Sequence, residues 1–450
     1  MTPILSPSKQ FIFKSYSFDR VSGEVLLKYG IDDEEFVERL VFPIPATGIP
    51  EGIDGALNRA LFTLHLMAGV SYYKAKLPPT IVVESGKLSV EQADAWNTLY
   101  THGLGEFFFR NDLDFRGYVQ FPNDGISAPS MVEVEGALVG GGAIVPIGGG
   151  KDSLVAIEML RAASIPFDLF MFGNHSRIRE VATEVGGKLF SVSRTIDPKL
   201  IELNKAGAWN GHVPITAYVG IAASIVAMLN GRRDVIFANE RSANSGNTEM
   251  NGIVINHQYS KSLEAERDIQ TYLGTFVSKN VRIFSLLRPL SELDIARRFA
   301  ANAQYFGVFS SCNTNYKQGG VPTVTRWCGK CPKCAFVFVM LGAFIPRRKM
   351  VEMFGEDLLV REDLLSMYKD LTGYGTMKPF ECVGEFEEVI AAFALIHGRG
   401  EYEDSPMMKW FEAEVMNTRK DIDALIDRAL MLSKEHAMPE EYAQLVYASR

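Results

Sequence analysis

The sequence predicts an α/β protein centred on a doubly wound parallel sheet. Three observations carry that expectation. From Ala143 onward, short β-rich segments alternate with helical patterns, the order that places helices on both faces of a parallel sheet. One strand-to-helix turn is the glycine-rich "AIVPIGGGKDSLVAIEML", Ala143 to Leu160, where glycines let backbone N–H groups approach an anion. Finally, 47% hydrophobic and 22% charged residues over 450 positions suffice for a sizeable core in two or three domains.

The first segments read differently. "FIFKSYSF", "GEVLLKYG" and "EFVERLVF" are β-rich and separated by Asp, Gly and Ser breaks, which predicts a small antiparallel sheet. A long helix is expected from about Ile53 to Lys76, and another after "LSVEQADAW", where Ser89 and Gln92 have capping-box spacing. No nucleotide signature occurs here, so residues 1–139 are expected to form a separate substrate or scaffold domain. The α/β domain, residues 140–345, should hold strands at Ala143–Ile147, Phe167–Phe172, Lys188–Val192, Asp234–Ala238 and Arg282–Leu286. Helices should start near Ser153, Ser176, Pro198, Pro214, Lys261 and Ser291. At the third of these, Asp197 is the N-cap and Pro198 the first helical residue, while Asn230-Gly231 stops the helix before the fourth strand. Beyond Ile345, residues 346–450 read as helical, with Ile422, Leu425, Ile426, Ala429 and Leu430 on one amphipathic stripe.

The formal charge of −8 argues against a broad nucleic-acid-binding surface. The start "MTPILSPSKQ" lacks the basic-then-apolar order of a signal peptide, and the apolar runs Ala217–Leu229 and Cys334–Ile345 are too short to span a bilayer. A cytoplasmic protein is therefore expected. Five cysteines in so long a chain do not make a disulfide scaffold, and four of them lie close together, which points to a metal.

The glycine turn fails the common phosphate-loop patterns. A Walker loop requires glycine where Val145 stands and Ser or Thr where Asp152 stands. The dinucleotide fingerprint fails because its third glycine falls on Ser153. What remains, Gly149, Gly150, Asp152 and Ser153 around a variable Lys151, resembles the PP-loop of the ATP-pyrophosphatase superfamily, whose fold is adenine nucleotide α-hydrolase-like (HUP-like). The pattern there is Ser-Gly-Gly-x-Asp-Ser, and Gly148 replaces its serine, which removes one hydroxyl donor. Pro146 is a further oddity, since it withholds a donor from a central strand. The resemblance implies ATP with Mg²⁺ placed by Asp152, charge neutralised by Lys151, and adenosine held at the ends of the second and fourth strands. Asn174, Asn239 and Glu240 occupy those ends.

Cys312, followed after fifteen residues by Cys328, Cys331 and Cys334 at two-residue spacings, gives four thiolates that can wrap one ion. Structural zinc fits this set, with an iron–sulfur cluster as the rival. Cys382 stands apart in "KPFECVGEFEEV", either as a small buried hydrophobe or as a thiol acid/base beside Glu381 and Glu385.

Taken together, "FIFKSYSFDRVSGEVLLKYGIDD", "PIGGGKDSLVAIEML", "RWCGKCPKCAFVF" and "KPFECVGE" resemble the UDP-N-acetyl-α-D-muramoyl-L-alanyl-L-glutamate epimerases over nearly the whole chain. That family implies ATP-dependent inversion of the terminal L-Glu of a nucleotide-linked dipeptide in peptidoglycan synthesis. Adenylating the carboxylate beside Cα–H would cancel its charge and let the acyl group accept electrons, a task other racemases give to a keto or pyridoxal sink. His212, His257, Lys261 and Cys382 lie in polar loops and are candidates to carry the proton. Arg177, Arg179 and Arg241 are candidates to meet carboxylate or diphosphate. The alternative is a PP-loop synthetase or tRNA-tailoring enzyme such as the 7-cyano-7-deazaguanine synthases, which share the loop and cysteine cluster but are about half as long. A non-catalytic nucleotide- or zinc-binding module is disfavoured by the retained Asp152 and Ser153.

Overall fold

The computed structural model describes residues 8–126, 140–316 and 325–448. In chain order the first part holds β1 (Gln10–Phe18), β2 (Glu24–Ile31), β3 (Glu34–Val41), α1 (Asp54–Ala68), α2 (Val70–Lys76), β4 (Thr80–Val83), α3 (Val90–Gly103) and α4 (Gly105–Arg110). Then come β5 (Gly140–Pro146), α5 (Lys151–Ala162), β6 (Phe167–Phe172), α6 (Ser176–Val185), β7 (Leu189–Thr195), α7 (Pro198–Lys205), α8 (Ile215–Leu229) and β8 (Arg232–Phe237). A hairpin of β9 (Thr248–Met250) and β10 (Ile253–Ile255) precedes α9 (Leu263–Tyr272), β11 (Arg282–Ser285) and α10 (Glu292–Ala300). The remainder is helical: α11 (Asn313–Tyr316), α12 (Pro332–Gly342), α13 (Arg347–Phe354), α14 (Leu365–Thr372), α15 (Phe386–Arg399), α16 (Pro406–Phe411), α17 (Ile422–Leu430) and α18 (Glu440–Ala448).

Nine strands form one mostly parallel mixed sheet, in the order β11-β8-β5-β6-β7-β3-β2-β1-β4. From β11 to β7 every pairing is parallel. The antiparallel strands do not form a small sheet of their own, as the sequence suggested. Arg39–Val41 of β3 pair antiparallel with Ser193–Thr195 of β7 and carry the sheet onward. A buried ion pair seals this junction, with Arg194 Nε 2.7 Å from Glu38 Oε1 and Glu38 wholly inaccessible. The helix expected over Ile53–Lys76 breaks at Gly69, where a Cβ would collide with the Phe13 ring of β1.

Alternate strand residues face opposite cores. Ala143 and Val145 of β5 pack with α5, α6, α10 and the C-terminal helices, while Ile144 packs with α1, α3 and α8. The C-terminal helices thus complete one face and the N-terminal helices the other. The Asp197 and Pro198 start of α7 and the Ser291 cap of α10 form as expected. α5 begins two residues early, so Lys151, Asp152 and Ser153 occupy its first turn, and α9 begins at Leu263 behind a Ser262 cap. Pro146 ends β5 and therefore withholds its donor only at the strand's last position, where Ile147 N already bonds Phe170 O at 2.9 Å. Among the described residues no helix is long and apolar enough to cross a membrane.

Candidate active site

Strand order reverses between β5 and β8, and the crevice above the carboxyl ends of parallel strands at such a point is where open α/β sheets bind ligands. A cavity of about 710 Å³ lies there. Gly148, Gly150, Asp152 and Ser153 line it from the β5–α5 turn, Asn174 from the end of β6, and Asn239 and Glu240 from the end of β8. Lys261, Lys333 and Cys382 line it as well.

The turn is shaped by its glycines. Gly149 takes φ +86°, and a Cβ there would also collide with the Tyr316 hydroxyl. Around Gly148 the space is open. Gly150 is the N-cap of α5, so the unpaired N–H groups and positive dipole end of this helix face the turn. Lys151 does not reach into the cavity. Its buried ammonium bonds the carboxylates of Asp152 and Glu292. Burial opposes ionisation of Asp152, yet Lys151 and then Lys333 hold its carboxyl below the ordinary range. Asp152, Glu240 and Glu292 each bring a carboxylate oxygen within 4.8 Å of the others.

Lys261 Nζ lies 3.2 Å from Cys382 Sγ. Burial alone would push the Cys382 thiol up, but Lys261, His257 and Lys333 outweigh it and bring it down to about 6. Cys382 is thus chiefly thiolate at neutral pH. His257 stands behind it, bonded both to the Cys382 sulfur and, through Nδ1, to the Glu106 carboxylate. Burial disfavours the charged imidazolium, but Cys382 and Glu106 overcome this and raise His257 to about 9. His212 lies against His257, with ring centroids 4.6 Å apart and planes tilted by 49°, and its Nδ1 is 3.6 Å from Glu106. Burial and the neighbouring His257 push His212 down to about 4, so it is neutral where His257 is charged.

Sequence reasoning missed Glu106, Glu292 and Lys333. Glu106 sits in α4 within "GEFFFR", where a carboxylate among phenylalanines signals a charge that must be paired inside. Lys333 donates to the Cys382 carbonyl, and its Nζ is 3.7 Å from Glu292 Oε1. Each of the three candidate arginines makes bonds within the protein. Arg177 bonds the carbonyls of Arg326 and Thr325, Arg179 bonds Asn174 Oδ1 at 2.9 Å, and Arg241 bonds Met431 O.

Cys312, Cys328, Cys331 and Cys334 bring their sulfurs together, with Cys328–Cys334 at 3.7 Å and Cys331–Cys334 at 3.5 Å. Backbone N–H groups of Cys328 and Lys330 point at sulfurs of the cluster. The set is compatible with a structural metal.

Comparison with known proteins matches residues 5–286 to the MurL N-terminal domain and residues 308–425 to the MurL C-terminal domain. The chain belongs to the MurL family. A relative from Xanthomonas oryzae pv. oryzae is 38% identical over 444 residues, covering 98% of this chain and 97% of its own. A Micromonospora relative is 37% identical over 442 residues, 96% of this chain and 97% of its own. A third, from Salinispora tropica, is 38% identical over 408 residues, 88% of this chain and 87% of its own. All three are named UDP-N-acetyl-alpha-D-muramoyl-L-alanyl-L-glutamate epimerase. The MurL N-terminal match spans β1 through β11 and so includes both the glycine turn and Lys261, while the C-terminal match supplies Cys382 and the cysteine cluster.

Proposed function

We infer that the chain is a MurL-type epimerase acting on the glutamate of a UDP-MurNAc-L-Ala-L-Glu dipeptide, and we propose that it works through ATP and an acyl-adenylate. The observation that carries this reading is one shared cavity. The glycine turn with Asp152 and the Lys261–Cys382 pair both line it. The order β7-β6-β5-β8-β11 is also that of doubly wound nucleotide-binding sheets, which supports the PP-loop reading.

In this proposal an oxygen of the glutamate α-carboxylate attacks the α-phosphorus of ATP, and pyrophosphate leaves. The N-terminal turn of α5 and the glycine N–H groups receive the phosphates. Asp152, Glu240 and Glu292 form a hard oxygen set suited to Mg²⁺. Asn174 and Asn239 lie where the adenosine would rest. Once the carboxylate is esterified, the Cys382 thiolate removes the Cα proton and the electrons pass to the acyl oxygen. Lys261 is the thiolate's counter-ion. Its contact with Cys382 leaves no room for a carbon between them, so the proton that completes inversion comes from solvent water on the opposite face of Cα, and Cys382 gives up the proton it took to solvent. Water then cleaves the acyl–phosphate bond and releases AMP. His257, held by Glu106, keeps Cys382 ionised.

The cysteine cluster suits Zn²⁺. At Zn–S distances near 2.3 Å a tetrahedral site separates its sulfurs by about 3.8 Å, close to the observed spacings. A multi-iron cluster would need more room between the thiolates. With four protein ligands the ion would be structural.

The test incubates the protein with ATP, Mg²⁺ and UDP-MurNAc-L-Ala-L-Glu in D₂O. The expected result is AMP, pyrophosphate and deuterium at the glutamate Cα. ATP cleavage without the label would overturn the epimerase reading, and label without AMP would overturn the adenylate.

A further inference from the structure

The glycine turn has a neighbour from a distant part of the chain. Ser310 N donates to Gly149 O at 2.9 Å, and six residues on, Tyr316 brings its hydroxyl over Gly149. Tyr316 lines the cavity, yet its hydroxyl oxygen is buried with no hydrogen-bond partner among the described residues. Such a group is uncommon, because a buried hydroxyl left unpaired is unfavourable. The ring is nevertheless firmly placed. His175 stacks on it with centroids 4.6 Å apart and planes within 19°, and His175 Nε2 is 3.3 Å from Asn315 O. Asn315 in turn bonds Arg326 O at 2.9 Å, and Cys312 anchors the same short helix in the cysteine cluster. Burial raises the Tyr316 phenol to about 12, so it remains a donor throughout the neutral range.

We propose that Tyr316 is a phosphate-binding residue, its hydroxyl donating to a nucleotide phosphate seated on the glycine turn. It supplies from another segment the hydroxyl that Gly148 lacks. The cysteine cluster thereby acts as the mount that aims this donor. The proposal rests on the ATP reading above.

The test compares Tyr316→Phe with the wild type in the full metal-loaded chain, measuring ATP and adenosine binding by calorimetry and the Tm without nucleotide. Loss of a hydrogen bond to a charged phosphate should weaken ATP roughly tenfold or more. Adenosine, which has no phosphate, should bind as before. With no protein partner lost, the Tm should hold or rise. Unchanged ATP affinity would overturn the proposal, as would an equal loss for adenosine or a lowered Tm, since either marks a structural role. If the wild type binds adenosine but not ATP, or binds neither, the adenylate reading fails and this proposal with it. Failure of Tyr316 alone leaves that reading standing.

Discussion

The two walls of the cavity are made in opposite ways. The wall proposed to hold phosphate centres on a single stretch of chain, Gly148 to Ser153, whose chemistry is mostly backbone: a left-handed glycine, a helix N-terminus and open space at Gly148. The wall proposed to move the proton is made of side chains from four separate segments, Glu106, His257 with Lys261, Lys333 and Cys382. A backbone cradle tolerates little change in shape but has few charges to lose. A charge network has the opposite weakness, since each member sets the protonation of the next.

The sharpest way to separate the walls is Cys382→Ala. Removing a proton-transfer group should slow deuterium incorporation at Cα by about 10²- to 10⁴-fold. ATP binding, measured by calorimetry, should persist because the phosphate wall is intact. On the other wall, Gly149→Ala forces a side chain into a left-handed conformation and against Tyr316, at a cost of roughly 1–3 kcal/mol. Its neighbour Gly148→Ser meets open space and should change stability by no more than about 0.5 kcal/mol. A thermal melt of the two variants checks the contrast directly, and equal losses would break it.

The network predicts its own pH dependence. The Cys382 thiolate is present above about 6 and is lost as pH falls below it. The His257 cation is present below about 9 and is lost as pH rises past it. The rate should therefore rise with pH through the lower limit and then level off, since the thiolate persists above the upper one, and the rising limb belongs to the coupled pair rather than to either residue. Glu106→Gln removes a charge that raises His257, so the cation that lowers Cys382 is weakened and the rising limb should move to higher pH. The rate should fall about tenfold, the size of one charge-assisted hydrogen bond. ATP affinity is the control that should not move.

The same contrast explains what could be read from sequence. The glycine turn was legible because strand, turn and helix are contiguous, and the cysteines because their spacing is short. The proton wall was only half legible. His257, Lys261 and Cys382 stood out as polar residues in loops, but nothing local joins them to Glu106, which lies over 150 residues from His257 in the chain. Glu292 reads as an ordinary first-turn acid behind the Ser291 cap, and its place in the site comes from residues distant in the chain, such as Lys151, 141 residues earlier. The union of the antiparallel and parallel strands was hidden for a related reason. β3 has the alternation of any half-buried strand, and its partner is set by three residue pairs and the Glu38–Arg194 bridge. The β9–β10 hairpin, by contrast, had a local signal that went unused: Asn251-Gly252, both with positive φ, the usual pair for a tight two-residue turn.

Lys333 lies between two cluster cysteines, Cys331 and Cys334, while its ammonium serves the Cys382 loop and Glu292. The spacing of those cysteines therefore answers to two constraints at once. One added residue before Lys333 would swing it by about 100° around α12, away from the proton wall, even if the thiolates found new positions around an ion. The spacing of the cysteine cluster is thus tied to the placing of the Cys382 loop, so this segment should resist insertions that a purely structural cluster would accept.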